Sequence, residues 1–185
     1  MLTAAEAKKR LIEGNQKYLE AETPVSCVSR LLRKKTKADG QEPYAVIITC
    51  SDSRVIPESI FSADLGDLFV IRVAGNVLDD HQLGSIEYAA EHLGTRLIIM
   101  LGHTKCGAVD AAIKKHGGGF IGYVIDDIIH AIGDETDDYK ASCMNIRHGV
   151  ETIRREFQIH PIEDERGLEV AGAIYDIETG QVDFL

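Results

Sequence analysis

Tyr44-Ala45-Val46-Ile47-Ile48-Thr49 runs straight into Cys50-Ser51-Asp52-Ser53-Arg54. An apolar, β-branched run gives way there to a cluster of reactive side chains. A continuous apolar run this short reads as a strand buried on both faces, as in a parallel sheet covered by helices. Leu68-Phe69-Val70-Ile71 is a second such run, and Leu97-Ile98-Ile99-Met100-Leu101 is a third. Between the second and third, Ile86, Ala89, Ala90 and Leu93 recur at helical spacing and Gly94 supplies a stop. Strand, helix, strand at this spacing is a βαβ unit.

Outward from these strands the pattern continues. Thr3 and Glu6 have capping-box spacing, and Ala7, Leu11 and Tyr18 follow at helical spacing, so a helix is expected over the first 20 residues. The basic run Arg30, Arg33, Lys34, Lys35 and Lys37 reads as a solvated helix face. Ala108 to Lys115 reads as a helix, Gly117-Gly118-Gly119 as a turn that matches no phosphate-loop pattern, and Tyr123 to Ile132 as a buried helix. Asp134 to Asp138 reads as a solvated acidic loop. Ile146, Val150, Ile153 and Phe157 mark a further amphipathic helix. Leu168 to Tyr175 and Gln181 to Leu185 read as strands joined by a turn at Glu178-Thr179-Gly180. The expected fold is α/β: a central, mostly parallel sheet of about five strands, the last short and antiparallel, covered by helices. Residues 1–40 form an N-terminal helical arm and 41–185 the core of a single domain.

Composition sets outer limits. At 185 residues with 44% apolar and 27% charged side chains, the chain can bury a core unaided. Thirty acidic against 20 basic residues give a net charge of −10, which argues against nucleic acid or an anionic membrane as partner. No apolar run approaches the ~20 residues that span a bilayer. The opening Met1-Leu2-Thr3-Ala4-Ala5-Glu6 lacks export-signal order. A cytoplasmic, reducing location is therefore expected. There, the four cysteines at 27, 50, 106 and 143 bind metal or stay free rather than pair.

Two strands end in chemistry. The first runs into Cys50-Ser51-Asp52-Ser53-Arg54, the third into Gly102-His103-Thr104-Lys105-Cys106-Gly107. Sites in open parallel sheets form beyond the carboxyl ends of the strands, so neighbouring strands would bring Cys50, His103 and Cys106 together. Two thiolates and one imidazole are good zinc ligands that leave a fourth position open. Against this, His-x-x-Cys alone is a weak signal and a buried cysteine is commonly inert packing. Asp52 has three readings: a fourth metal ligand, a partner of the Arg54 fork, or half of a plain surface ion pair. There is no Cys-x-x-Cys to suggest redox chemistry, and Cys27 and Cys143 read as structural or free thiols.

Those two motifs resemble the signature motifs of the β-class carbonic anhydrases. Phe69-Val70-Ile71-Arg72-Val73-Ala74-Gly75-Asn76, Gly84-Ser85-Ile86-Glu87-Tyr88-Ala89 and Gly167 to Asp176 with Thr179-Gly180 extend the resemblance from about Gln41 to the C-terminus. The resemblance implies one zinc ion per chain on Cys50, His103 and Cys106, with Asp52 and Arg54 as a catalytic dyad and Asp52 as an alternative fourth ligand. It implies reversible hydration of carbon dioxide to bicarbonate and a proton by hydroxide on that zinc, a lyase activity. Gln41, Phe69 and Tyr88 occupy the positions that line the substrate pocket in the plant-like branch. A pocket built across an interface implies a homodimer or a higher even oligomer. Relatives with the same ligands hydrolyse carbon disulfide or carbonyl sulfide, which is one alternative. A non-catalytic, zinc-stabilised bicarbonate-binding module is another. His81 and His92 are candidate proton carriers, each also readable as ordinary surface.

Overall fold

In the computed structural model, residues 1–22, 28–155 and 166–185 are described. Cys27 and Phe157 lie outside them. The chain forms α1 (Ala4–Glu20), α2 (Arg30–Asp39), β1 (Ala45–Thr49), α3 (Pro57–Ile60), β2 (Leu68–Arg72) and a 3-10 turn at Ala74–Asn76. Then follow α4 (Asp80–Glu91), β3 (Leu97–His103), α5 (Gly107–Ile113), α6 (Ile121–Ile132), α7 (Asp138–Arg155), β4 (Glu169–Tyr175) and β5 (Val182–Phe184). The sheet order is β2-β1-β3-β4-β5. The first three pairings are parallel and the last antiparallel, so the expected α/β sheet is the one formed.

Side chains on a strand alternate between faces, so an unbroken apolar run fills two cores at once. Val46, Ile48, Ile98 and Met100 meet Ile86, Ala89 and Ala90 of α4 and Ile146, Val150 and Ile153 of α7. Ala45, Ile47, Leu97, Ile99 and Leu101 meet Ala7 and Leu11 of α1 and Ile60 and Phe61 at the end of α3. Helix α7 approaches the sheet so closely that a Cβ on Gly102 would lie 2.6 Å from Ile146, and one on Gly172 2.7 Å from it.

The capping box forms as expected. Thr3 Oγ1 accepts from the Glu6 amide at 3.3 Å, and Glu6 Oε2 accepts from the Thr3 amide at 2.8 Å. Asn15 ties α1 to the core by donating to the Ile60 and Gly180 carbonyls at 3.1 and 3.0 Å and accepting from the Val182 amide at 3.0 Å. Helix α2 buries no residue, as the basic run suggested.

Three expectations change. The third strand continues through Gly102 and His103, because the ladder to β4 extends to the His103–Tyr175 pair. Helix α6 is amphipathic rather than buried: Ile125, Ile128 and Ile132 face the core, while Tyr123 is 73% exposed. The acidic loop is not merely solvated, since Asp138 opens α7 and its carboxylate accepts from the Lys105 amide at 3.1 Å. No helix among the described residues is long and apolar enough to cross a membrane.

Candidate metal centre

The site is built where β1 and β3 end side by side. Thr49, the last residue of β1, donates its hydroxyl to the Leu101 carbonyl at 2.8 Å and so locks the two strand ends together. Beyond it the chain is gripped by Arg72, at the end of β2, whose guanidinium donates to the Cys50 carbonyl at 3.2 Å and to the Asp52 carbonyl at 2.7 Å. Two backbone amides converge on the Cys50 sulfur: Gly75 N–H at 3.3 Å and Asp52 N–H at 3.4 Å. Gly75 takes φ 65°, ψ 13°. A side chain there would suffer both the left-handed backbone and a contact of 2.6 Å with Ile128, so only glycine fits.

On the other strand, His103 Nδ1 lies 2.9 Å from the Thr104 carbonyl. A carbonyl only accepts, which assigns a proton to Nδ1, so that the neutral ring offers its lone pair at Nε2. That Nε2 is buried and has no hydrogen-bond partner. Lys105 then adopts φ 57°, a costly conformation for a residue with a side chain. Its peptide is strapped on both sides: the N–H donates to Asp138, and the carbonyl accepts from Arg54 at 3.2 Å. This turn delivers Cys106 to the N-cap of α5.

The outcome is one cluster. Cys50, His103 and Cys106 are 5%, 1% and 2% exposed, and a sulfur from each cysteine and a ring nitrogen of the histidine lie within 4.8 Å of one another. Their protonation is shared. The hydrogen bond from Cys106 pulls Cys50 below the ordinary thiol range. The same bond, with burial, pushes Cys106 up. Burial works against a charged His103, but the Cys50 sulfur and the Thr104 carbonyl outweigh it and raise the ring. Donors of this kind, so close and so dry, can hold a metal ion.

Asp52 stands beside the cluster and outside it. Arg54 Nη2 donates to one carboxylate oxygen at 2.7 Å, and Arg54 Nε and the Arg54 amide donate to the other at 3.0 and 2.9 Å. The Arg54 fork therefore holds the Asp52 carboxyl well below the usual carboxylate range. Of the alternatives for Asp52, the structure shows the pairing with Arg54.

Gln41, Phe69 and Tyr88 are placed elsewhere. Phe69 and Tyr88 face each other, ring centres 6.3 Å apart. Tyr88 is 46% exposed, and Gln41 is exposed on the segment before β1, at the end of that strand opposite Cys50. His92 packs on Tyr88 at 5.3 Å between ring centres. His81 lies on the surface, its ring nitrogen 3.4 Å from Asp79. Three contributors to the site carried no role in the sequence reading: Arg72, Gly75 and Asp138. The Gly75-Asn76 pair is a turn signal that could have been read. Nothing local marks Arg72 or Asp138, because their partners are distant in sequence.

Comparison with known proteins follows this geometry. A family model described as carbonic anhydrase matches residues 45–182. Carbonic anhydrase 2 of Mycobacterium tuberculosis is 47% identical over 122 residues, covering 65% of this chain. The match spans only 58% of that relative's length. The carbonic anhydrase of Mycolicibacterium smegmatis is 32% identical over 189 residues, covering 96% of this chain and 91% of that protein. Among solved structures, a tetrameric β-carbonic anhydrase of Sordaria macrospora superposes with a TM-score of 0.76 at 26% identity, over 98% of this chain and 94% of its own. The β-carbonic anhydrase CcaA superposes with a TM-score of 0.74 at 30% identity, over 96% of this chain and 98% of its own.

Proposed function

Because the chain belongs to the β-class carbonic anhydrase family, we propose that it catalyses the reversible hydration of carbon dioxide to bicarbonate and a proton, with one zinc ion per chain on Cys50, His103 and Cys106. The observation that carries this reading is the buried Cys-His-Cys cluster lying beside an Asp52 already fixed by Arg54.

The donor set fits zinc. Zinc takes sulfur donors at about 2.3 Å and nitrogen donors at about 2.0–2.1 Å, and three donor atoms all within 4.8 Å of one another could hold it. The partnerless His103 Nε2 is a ligand atom waiting for a Lewis acid, and the two N–H groups on Cys50 favour a charged sulfur. When bound, zinc supplies the acidity that lowers the pKa of a water from about 15.7 to roughly 7.

The chain's own residues do the rest. Asp52 keeps its charge because Arg54 holds it, and carboxylate oxygens retain lone pairs beyond those that Arg54 uses. It can therefore accept a hydrogen bond from the attacking oxygen and orient it toward the carbon of the substrate. Two thiolates donate more charge than imidazoles would, which weakens the acidity at the metal. The rate is expected to rise into the alkaline range. Phe69 and Tyr88 would offer small, apolar carbon dioxide a dry wall, and Gln41 a hydrogen bond to its oxygen. These three lie at the wrong end of β1 to reach Cys50 of their own chain, so a second copy must present them. The outer edge of β2, which carries Phe69, is the face for that contact, and the relatives from Sordaria macrospora are described as tetrameric. In this reading residues 1–40 and 41–185 act as one domain.

The test is stopped-flow hydration of carbon dioxide, with zinc per chain determined on the same sample. Rapid turnover near one zinc per chain, increasing from pH 7 to 9, is expected. Full zinc without turnover would overturn the reading in favour of a sulfur-containing substrate, such as carbonyl sulfide, or of a module that only binds bicarbonate.

A further inference from the structure

Cys50 receives one of its two N–H bonds through a relay that starts on a helix remote in sequence. Asn145, in the middle of α7, is 5% exposed. Its Nδ2 donates to the Gly75 carbonyl at 2.9 Å. The amide of that same Gly75 donates to the Cys50 sulfur at 3.3 Å. We propose that Asn145 is a positioning residue of the metal centre: by holding the Gly75 carbonyl, it aims the Gly75 N–H at Cys50 and fixes the sulfur for metal binding. This inference rests on the metal-site reading above.

Three features support it. Ile146, Val150 and Ile153 of the same helix are apolar and pack into the core. A buried amide in their midst costs free energy unless its bonds are used. Next, in the 3-10 turn past the end of β2 the Asn76 N–H donates back to the Val73 carbonyl at 3.0 Å, and Asn145 supplies the side-chain bond on the other side of that peptide, at the Gly75 carbonyl. Ile128 and Ala108 bound Gly75 on its Cα side but do not choose where its N–H points. Finally, Asn145 lines a small cavity of about 90 Å³ with Asn76, His148 and Thr152, and its amide is turned toward the Gly75 carbonyl. Outer-shell partners of this kind typically govern metal affinity by about 10–100-fold.

The test compares zinc-loaded wild type with Asn145→Leu, Asn145→Ser and Val150→Ala. Leucine keeps the shape of asparagine and removes the donor. Serine keeps a shorter donor. Val150→Ala loosens the same helix without touching Gly75. Two quantities are read: zinc release to excess chelator, and the sulfur-to-metal charge-transfer band after exchange to cobalt. Asn145→Leu is expected to release zinc about 10-fold faster or more and to shift the band. Asn145→Ser is expected to fall between it and wild type. Val150→Ala should melt earlier but release zinc at the wild-type rate. The proposal is overturned if Asn145→Leu matches wild type in both readouts, or if Val150→Ala accelerates release as much. Should the leucine variant fail to fold, serine decides: release faster than Val150→Ala supports the proposal, and wild-type release overturns it. If the wild type itself takes up no zinc and shows no charge-transfer band, the metal-site reading falls and this proposal falls with it. Normal metal binding by wild type with an indifferent Asn145 removes the proposal alone.

Discussion

Cys50 and Phe69 sit at opposite ends of one strand pair, and the chain treats them differently. The β1–β2 register pairs Phe69 with Val46, four residues before Cys50, a separation of roughly 13 Å along the strand. At the Cys50 end, Arg72, Gly75, Arg54 and Asp138 all grip the surrounding backbone or the sulfur, and the three candidate ligands are almost wholly buried. At the other end, Phe69 is only partly covered, Tyr88 is nearly half exposed and Gln41 is exposed. One chain thus supplies a buried cluster of candidate ligands but only a wall of the proposed substrate pocket. A metal site tolerates little misplacement and is built from rigid neighbours. An apolar wall needs only surface, and a second copy can provide it.

That contrast breaks most sharply at the ligands. Cys106→Ser or His103→Ala should cost on the order of 100-fold or more in zinc affinity and abolish useful turnover, because each removes a direct donor. Zinc per chain by atomic absorption, with normal loading and a normal rate, would sink the ligand set. Asp52→Asn should leave zinc in place and lower the rate by about 100-fold. The amide keeps the shape but loses the charge that Arg54 holds, and its NH₂ faces the guanidinium donors. An Asp52→Asn protein as fast as wild type would remove Asp52 from the mechanism.

The aromatic end gives a smaller effect and a cleaner geometric test. Tyr88→Ala should keep zinc and lower kcat/KM by about 10-fold, in proportion to the lost apolar wall. Mixed with His103→Ala chains under conditions that exchange subunits, it should regain activity. The zinc of the Tyr88→Ala chain would then meet an intact Tyr88 from its neighbour. No recovery in verified mixed assemblies would place the pocket within one chain.

How much of this was legible follows the same division. The three apolar runs were readable because strands buried on both faces carry no polar interruption, and their reactive ends were readable because chemistry sits where such strands stop. His103 as a strand residue was not, since Gly-His has no strand preference and only the ladder to β4 holds it there. Four-residue α3 fell below any periodic signal. The isoleucines of helix α6 suggest burial, whereas Asp126, Asp127 and His130 mark a wet face. Asp138 looked like one more acid in a loop, and its bond to Lys105 is a fact of folding across 33 residues. Ligand identity is local in sequence; what aims a ligand is long-range.

The smallest expected effect lies at the exposed start of α1. Thr3→Ala removes the hydroxyl that accepts the Glu6 amide and, by the cost of a lost cap, should lower Tm by about 2–4 °C. Zinc content and rate should not move, because exposed Thr3 bonds only within the cap of α1 and reaches neither the cluster nor the residues that brace it. The pH dependence of the loss has a definite sign. The Thr3 amide and hydroxyl hold the Glu6 carboxyl below its usual value. A depressed acid contributes stability above its unfolded pKa, and that contribution is lost as pH falls through the folded value. The wild-type advantage should therefore be largest near pH 7 and shrink toward pH 3 in paired thermal melts. A gap that widens on acidification would mean that Glu6 gains nothing from Thr3. A zinc loss accompanying it would mean that the helix layer, and not only the strand ends, sets the metal site.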